Sequence, residues 1–248
     1  MPTKAKTEKS SAAKKRNPEP AGIFIPKMQL KTFRVKVSNT DTGAPIVLHA
    51  WSRKAIQMML DKQMGKPSAK RKEPKNPVMD FFDTLYWMEE RPEKKLVACG
   101  PEDYAEANNI VKGHQFGFPS IGFKKAMVSA CRNVEGMEMA LARGAFLIIG
   151  DGTDVQDEMS MVKLMSGKKP AVPRVRQDMV RLSGKTADIR FRAEFVQWEA
   201  TLTIKYNAGV MTPDQIINLL NIAGFAVGVG ENRPEKNGQW GTFQVVGA

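Results

Sequence analysis

Cysteine and histidine are scarce in this chain, and so are the patterns that arrange them for chemistry. Cys99 and Cys131, the two cysteines, lie far apart, with no CxxC and no Cys/His cluster. That spacing excludes a disulfide framework and a structural zinc site as the source of stability. His49 and His114 are the two histidines, and neither belongs to a metal-ligand motif, so both read as structural or surface residues. GxSxG and HExxH are absent as well. The residues therefore name no catalytic site, metal site or cofactor, and the chain reads as a non-enzyme. No window approaches the about 18 consecutive apolar residues of a membrane helix. The opening stretch MPTKAKTEKSSAAKKRNPEP lacks the apolar core of a signal peptide. A reducing cytoplasm, with no membrane partner, is the expected setting.

Positive charge is what the chain has in plenty. Its 248 residues are 42% hydrophobic and carry a formal charge of +12, with a pI near 9.7. This length suits one large domain or two small ones and buries a core without staples. A strongly basic balance bears on partners rather than on fold and points to a polyanion. Merely solvated lysines are the bland alternative. Lys4, Lys6, Lys9, Lys14, Lys15 and Arg16 sit in residues 1–22, among Ser, Ala and Pro, with no apolar periodicity. This reads as a disordered basic arm preceding one ordered domain over 23–248.

Periodicity outlines that domain. Phe33, Val35 and Val37 alternate with polar residues as in a half-buried strand, and Pro45 to His49 reads as a returning strand. Ser52 caps a helix through Ala55, Ile56, Met59 and Leu60 to about Met64. Lys66 to Pro77 is a basic loop, and Asp80 to Arg91 resembles a short aromatic-rich helix. A helix is expected over Ser120–Val134, a buried strand over Ala145–Ile149, another over Met161–Met165, and a second basic loop over Gly167–Arg176. Val196 to Tyr206 alternates cleanly. Thr212, Pro213 and Gln215 then spell a capping box for a helix that Gly224 ends. Phe225–Gly230 and Thr242–Val246 are the expected last strands. Two strand-helix-strand units result, the second closing at Phe225. This order predicts an α+β fold with a ferredoxin-like βαββαβ core, an antiparallel sheet, helices on one face, and long insertions at about 65–117 and 150–187.

Three stretches could hold phosphates. The glycine-rich run from Gly228 to Phe243 lets the backbone approach a ligand. Arg233 and Lys236 can meet phosphates there, and Trp240 offers a stacking face. It lacks the ending of a Walker A loop and leads into a strand, so it is no dinucleotide fingerprint. Phe118-Pro119-Ser120 opens a helix carrying Lys124, Lys125 and Arg132 off its apolar face, and a helix N-terminus beside lysines is a ready phosphate site. Trp51-Ser52-Arg53-Lys54 repeats that arrangement more weakly. Arg174, Arg176, Arg181, Arg190 and Arg192 fall in a stretch with few acids and could grip a backbone as one face. For each stretch the alternative is an ordinary turn or solvated face. Asp80 and Asp83 could serve as a carboxylate pair of a metal-dependent nuclease, or lie on a solvated helix face.

Phe118-Pro-Ser-Ile-Gly-Phe-Lys-Lys-Ala, together with the glycine-rich loop after the last helix, resembles the RAMP superfamily, the RNA-binding backbone subunits of CRISPR effector complexes. The resemblance spans about Met28 to Val246. The ordered chain is also similar to a family of tailed-phage proteins with a G-E-W-R-P-E-K-x-G-x-F-G ending, where Asn232 stands in place of Trp. The RAMP resemblance implies an RRM-like fold, a groove for single-stranded RNA or DNA, head-to-tail homo-oligomeric filaments and other effector subunits as partners. A bacterial or phage-infected cell would be the host. The favoured contacts are Arg53, Lys54, Lys124, Lys125, Arg132, Arg174, Arg176, Arg233, Lys236 and Trp240. A phage structural or assembly protein that oligomerises without nucleic acid is the alternative, and a nuclease the second.

Overall fold

Strand order decides the fold. A computed structural model describes residues 25–66, 75–92, 103–182 and 186–247. Its elements run β1 (Leu30–Ser38), β2 (Ile46–Val47), α1 (Arg53–Gln63), α2 (Pro77–Asp83), α3 (Asp103–Ile110), β3 (Gly117–Pro119), α4 (Ser120–Ala130), α5 (Met139–Ala145), β4 (Phe146–Ile149), β5 (Gly152–Thr153), β6 (Ser160–Lys163), β7 (Met165–Ser166), β8 (Lys169–Pro170), β9 (Arg174–Leu182), β10 (Thr186–Phe195), β11 (Glu199–Asn207), α6 (Pro213–Ile222) and β12 (Gln244–Gly247). The basic arm expected over residues 1–22 lies outside the described residues, as do most of the Lys66–Pro77 loop and Cys99.

The central sheet runs β12-β1-β11-β4, with every neighbour antiparallel. α4 connects β1 towards β4, and α6 connects β11 to β12. The strands of the βαββαβ unit therefore stand in the order fourth, first, third, second, which is ferredoxin-like, and the chain is α+β as its sequence predicts. Val35, Val37, Ala200, Leu202, Ile204, Phe146 and Ile148 turn to one face and are buried beneath α4 and α6. Phe123, Met127, Ile216, Leu219 and Leu220 meet them from the helices. Each such side chain contributes about 1.5–3 kcal/mol by leaving water. The opposite face stays open, with Arg34, Thr201, Lys205, Leu147 and Ile149 exposed. Ala145–Ile149 is thus buried on one side only, not as a whole.

α6 begins where the sequence predicts. The Thr212 hydroxyl accepts from the Gln215 backbone N–H at 3.2 Å, and the Gln215 side chain accepts from the Thr212 N–H at 2.9 Å. Its end differs from expectation. Residues Ala223–Val227 widen into a π-turn, and Phe225 points to solvent instead of opening a strand. The reason is Gly224: a Cβ there would lie 1.9 Å from the Phe243 carbonyl oxygen, so the chain returning into β12 packs against the helix end. The fourth strand is therefore Gln244–Gly247.

Two further expectations are corrected. The helix expected over Asp80–Arg91 stops at Asp83. Thr84 caps it, its hydroxyl donating to the Phe81 carbonyl at 2.8 Å and accepting from the Ala193 N–H at 2.9 Å. Beyond it the backbone extends so that Trp87 bridges Phe116, their rings 4.9 Å apart. The strand expected from Val196 begins at Glu199. Buried Asn39 holds residues 196–198 in a bend, donating to the Val196 and Ala44 carbonyls and accepting from the Trp198 N–H.

The insertions build a second layer of strands. β9 and β10 form a long hairpin, paired from Arg174↔Glu194 to Leu182↔Thr186, and its base packs on α2 and α3. The Gly167–Arg176 loop of the sequence reading is in fact the β7–β8 turn followed by the start of β9. β2 joins the edge of β10, next to the glycine-rich loop.

Candidate nucleic-acid interface

The glycine-rich loop is a rigid structure pinned to β2. Val229 N–H donates to the Gly241 carbonyl at 2.9 Å, Gly241 N–H to Pro45 at 2.8 Å, and Glu231 N–H to Val47 at 3.0 Å. Gly230 and Gly241 adopt φ of +78° and +65°, a region that L side chains rarely enter. At Gly241 a Cβ would also lie 1.7 Å from the Val229 carbonyl oxygen. The tip folds as a 3₁₀ turn, Pro234–Lys236, closed by left-handed Asn237.

Three depressions that share lining residues surround this loop as a bent channel. Behind it, a cavity of about 320 Å³ reaches Tyr86, the N-terminal turn of α4 and Lys125. In front, a groove of about 580 Å³ runs between the loop tip and the β9–β10 hairpin, lined by Arg190, Arg192, Arg233, Lys236 and Trp240. A third depression, of about 490 Å³, continues past His49 and Trp51 to Lys75, Asp80, Asp83 and Asp188. Arg233 is common to the first two, Arg190, Arg192 and Glu231 to the last two, and His49 to the first and third.

Acids are interleaved with the cations. Glu194, almost fully buried, takes Arg174 and Arg176, and Arg176 also pairs with Asp178 at 2.9 Å. Arg192 approaches Glu231 at 3.5 Å, Arg190 approaches Asp188 at 3.6 Å, and Arg233 pairs with Glu235 at 2.8 Å. Burial works against ionisation of Glu235, yet hydrogen bonds from Arg233 and Ser129 hold its carboxyl below the usual range. The front groove nonetheless keeps a cationic excess: Arg190, Arg192, Arg233 and Lys236 face Asp178 and Glu231. Lys125 and Lys236 form no ion pair with another described residue.

His49 stands at the junction. Its Nδ1 is sealed from solvent 3.5 Å from a Glu231 oxygen, without hydrogen-bond geometry. Burial, ahead of the opposing pull of Glu231, lowers its pKa, and Arg192 and Arg233 lower it further. Tyr86 is pushed up to about 12, first by burial and then by nearby Asp154, Asp157 and Glu231, so it enters the cavity as a neutral phenol.

The structure brings together Arg176, Arg233, Lys236 and Trp240, with Lys125 in the adjoining cavity. Trp240 is less available than its sequence suggests, because the Arg176 guanidinium covers one ring face at 3.9 Å. Arg174 lies at the base of the hairpin and is spent on Glu194. Arg132 follows the far end of α4, and neither it nor Lys124 lines the channel. Arg53 and Lys54 occupy the first turn of α1, which opens beside the third depression, but their side chains lie outside the described ones. Asp83 is ion-paired with Arg91 at 2.5 Å, and among the described residues no group of three His, Cys, Asp or Glu is placed to hold a metal ion.

Sequence reasoning passed over Glu231, read His49 as structural or surface, and named Arg190 and Arg192 within a candidate arginine face without carrying them to the favoured contacts. The arginine pair was legible. In Ile189-Arg190-Phe191-Arg192-Ala193-Glu194-Phe195, the charged residues alternate with apolar ones and share a strand face. Nothing local marks His49, which follows a two-residue strand and meets Glu231 only through the fold.

Among the described residues no helix is long and apolar enough to cross a membrane. No family model matches the chain, and no curated protein is similar to it. Among solved structures, the crystal structure of Cmr6 from Pyrococcus furiosus is similar over 88% of this chain and 100% of that one, at 11% identity and a TM-score of 0.29. At that level of superposition the likeness carries no functional argument, and the fold rests on its own strand order.

Proposed function

We propose that this protein binds single-stranded nucleic acid through its backbone phosphates and performs no chemistry on it. One observation carries the reading: depressions that share lining residues bend around a hydrogen-bonded glycine-rich loop, with Lys125, Arg190, Arg192, Arg233 and Lys236 along them. A path that bends around a loop suits a flexible single strand better than a stiff duplex. Cations spaced along such a path act by releasing counterions, so affinity falls steeply with salt. The capped Trp240 shifts the balance from base stacking to phosphate contact. RNA and DNA share that chemistry. Coating of a strand by successive copies, beside other effector subunits, is the arrangement that the RAMP resemblance implies.

The test is a titration against labelled single-stranded RNA, single-stranded DNA and duplex DNA across a salt series. Single strands should bind best, and each contact removed in Arg233→Ala and Lys236→Ala should lower the salt slope by about 1. No binding to any of the three at low salt would end the proposal.

A further inference from the structure

Helix α4 starts without a cap. Its N-cap position is Pro119, no side chain caps it by a hydrogen bond, and no acid lies in its first turn. The Ser120 hydroxyl faces that of Ser160 at 3.1 Å instead. Ile121 and Gly122, whose N–H groups have no carbonyl partner within the helix, line the cavity of about 320 Å³ behind the glycine-rich loop. The helix therefore presents donors and its positive end to that cavity.

A second donor points there independently. Tyr86 is 9% exposed, and its phenol makes no hydrogen bond with a described residue. Its oxygen is not sealed off, and the depression that Tyr86 lines is this one. Burial and three nearby carboxylates keep the phenol neutral, so it has a proton to donate. A hydroxyl so deep and without a partner is costly, and a ligand that accepts from it removes the cost. Lys125 adds a cation that forms no ion pair with a described residue. Glu235 is the one carboxylate among the described residues of the wall, and Arg233 and Ser129 already hold it. Phe118, Met159 and Val227 make much of the remaining wall apolar.

We propose that this cavity takes a phosphomonoester, with the phosphate at Tyr86, Lys125 and the first turn of α4, and the organic group against Phe118, Met159 and Val227. A monoester dianion offers three terminal oxygens to these three kinds of donor, one more than a backbone diester does. The volume stands at the lower end of small-molecule sites, about 300–1,000 Å³, and suits a single nucleotide. Two sources share this chemistry: a free nucleoside monophosphate, and the phosphorylated end of a strand. Arg233 lies on the walls of both this cavity and the front groove, so a strand seated by its end could continue along the channel. The inference goes beyond the binding of backbone diesters and does not rest on it.

Calorimetric titration with adenosine 5′-monophosphate, adenosine and dimethyl phosphate tests it, beside anisotropy with one oligonucleotide carrying a 5′-phosphate, a 3′-phosphate or neither. The monophosphate should bind, and adenosine and the diester should not. Tyr86→Phe and Lys125→Met should each weaken the monophosphate about tenfold, as expected for one hydrogen bond to a charged group. Tyr86→Phe should leave the melting temperature of the free protein unchanged. A lower one would give the hydroxyl a structural partner and overturn the assignment. A phosphorylated end that binds about tenfold tighter than the hydroxyl form, by a margin that Tyr86→Phe abolishes, supports the proposal and names the strand end as the source. Monophosphate binding without that margin supports it and names the free nucleotide. Dimethyl phosphate that binds as well as the monophosphate overturns the proposal, as does phosphate binding that both variants leave intact. Strands that bind without preference for their ends, with no monophosphate bound, overturn this inference alone. Monophosphate binding with no strand bound overturns only the strand reading.

Discussion

Gly241 shows how much a single position can hold. Its φ of +65° and the Val229 carbonyl leave no room for a Cβ, whereas Gly43, at +60°, has nothing within 4 Å. Gly43→Ala should therefore cost only the left-handed backbone strain, about 1 kcal/mol. Gly241→Ala must also break the loop away from β2 and should cost about 3–4 kcal/mol in a thermal melt, with loss of strand binding. Equal losses at the two sites would show that the loop is not held as described. His49 gives a pH-dependent counterpart. Burial lowers its pKa, so as pH falls through the ordinary histidine range the unfolded chain takes up the proton before the folded chain does, and stability declines. A bound phosphate adds a second counter-charge to that of Glu231, so strand affinity should rise over the same range. His49→Gln should flatten both trends, read by melting and by fluorescence anisotropy at about pH 7.5 and 5.5. An unchanged pH dependence in that variant would remove His49 from the channel.

At the scale of elements, the β9–β10 hairpin and the glycine-rich loop act as two jaws joined by one stack. Arg176 lies on Trp240 while its other contacts are Glu194 and Asp178. Glu194→Gln removes the buried charge that places this guanidinium. The expected loss is about 2–3 kcal/mol in denaturant unfolding, below the full cost for a deeply buried pair because the Arg174 side chain is largely exposed. Trp emission should shift as well, and the shift should vanish in a Trp240→Phe background. Emission unchanged in Glu194→Gln would mean that the stack does not depend on the buried carboxylate. The hairpin also marks where the sequence becomes hard to read. β11 and α6 declare themselves by period and cap. β9 does not, because Arg174, Arg176 and Asp178 on one side and Gln177, Met179 and Arg181 on the other leave no apolar face for periodicity to find. The strand expected at Phe225 failed for another reason: an apolar run after a helix fits a strand or a wide turn equally well, and Gly224 against Phe243 decides between them only in three dimensions.

On the scale of the whole molecule, the order of strands and helices was enough to predict the ferredoxin-like sheet, since each central element carries its own pattern. The channel was half legible. Its glycines, Arg233, Lys236 and Trp240 cluster in sequence, but Glu231, His49 and Arg192 meet only because the loop is laid across β2. Sequence also showed the arginines of the hairpin without their partners. The few acids of that stretch, Asp178, Asp188 and Glu194, are the ones the fold sets against them. The same topology bears on how quickly the molecule can form. β1 lies between two neighbours that follow it by roughly 160 residues or more, with Ser38 opposite Glu199 and Gln244, so the centre of the sheet is closed by long loops whose entropy must be overcome before any pairing is gained. Refolding should accordingly be slow for a chain of this size, and β1, whose Val35 and Val37 are destined for the core, is the strand that waits longest in water without a partner.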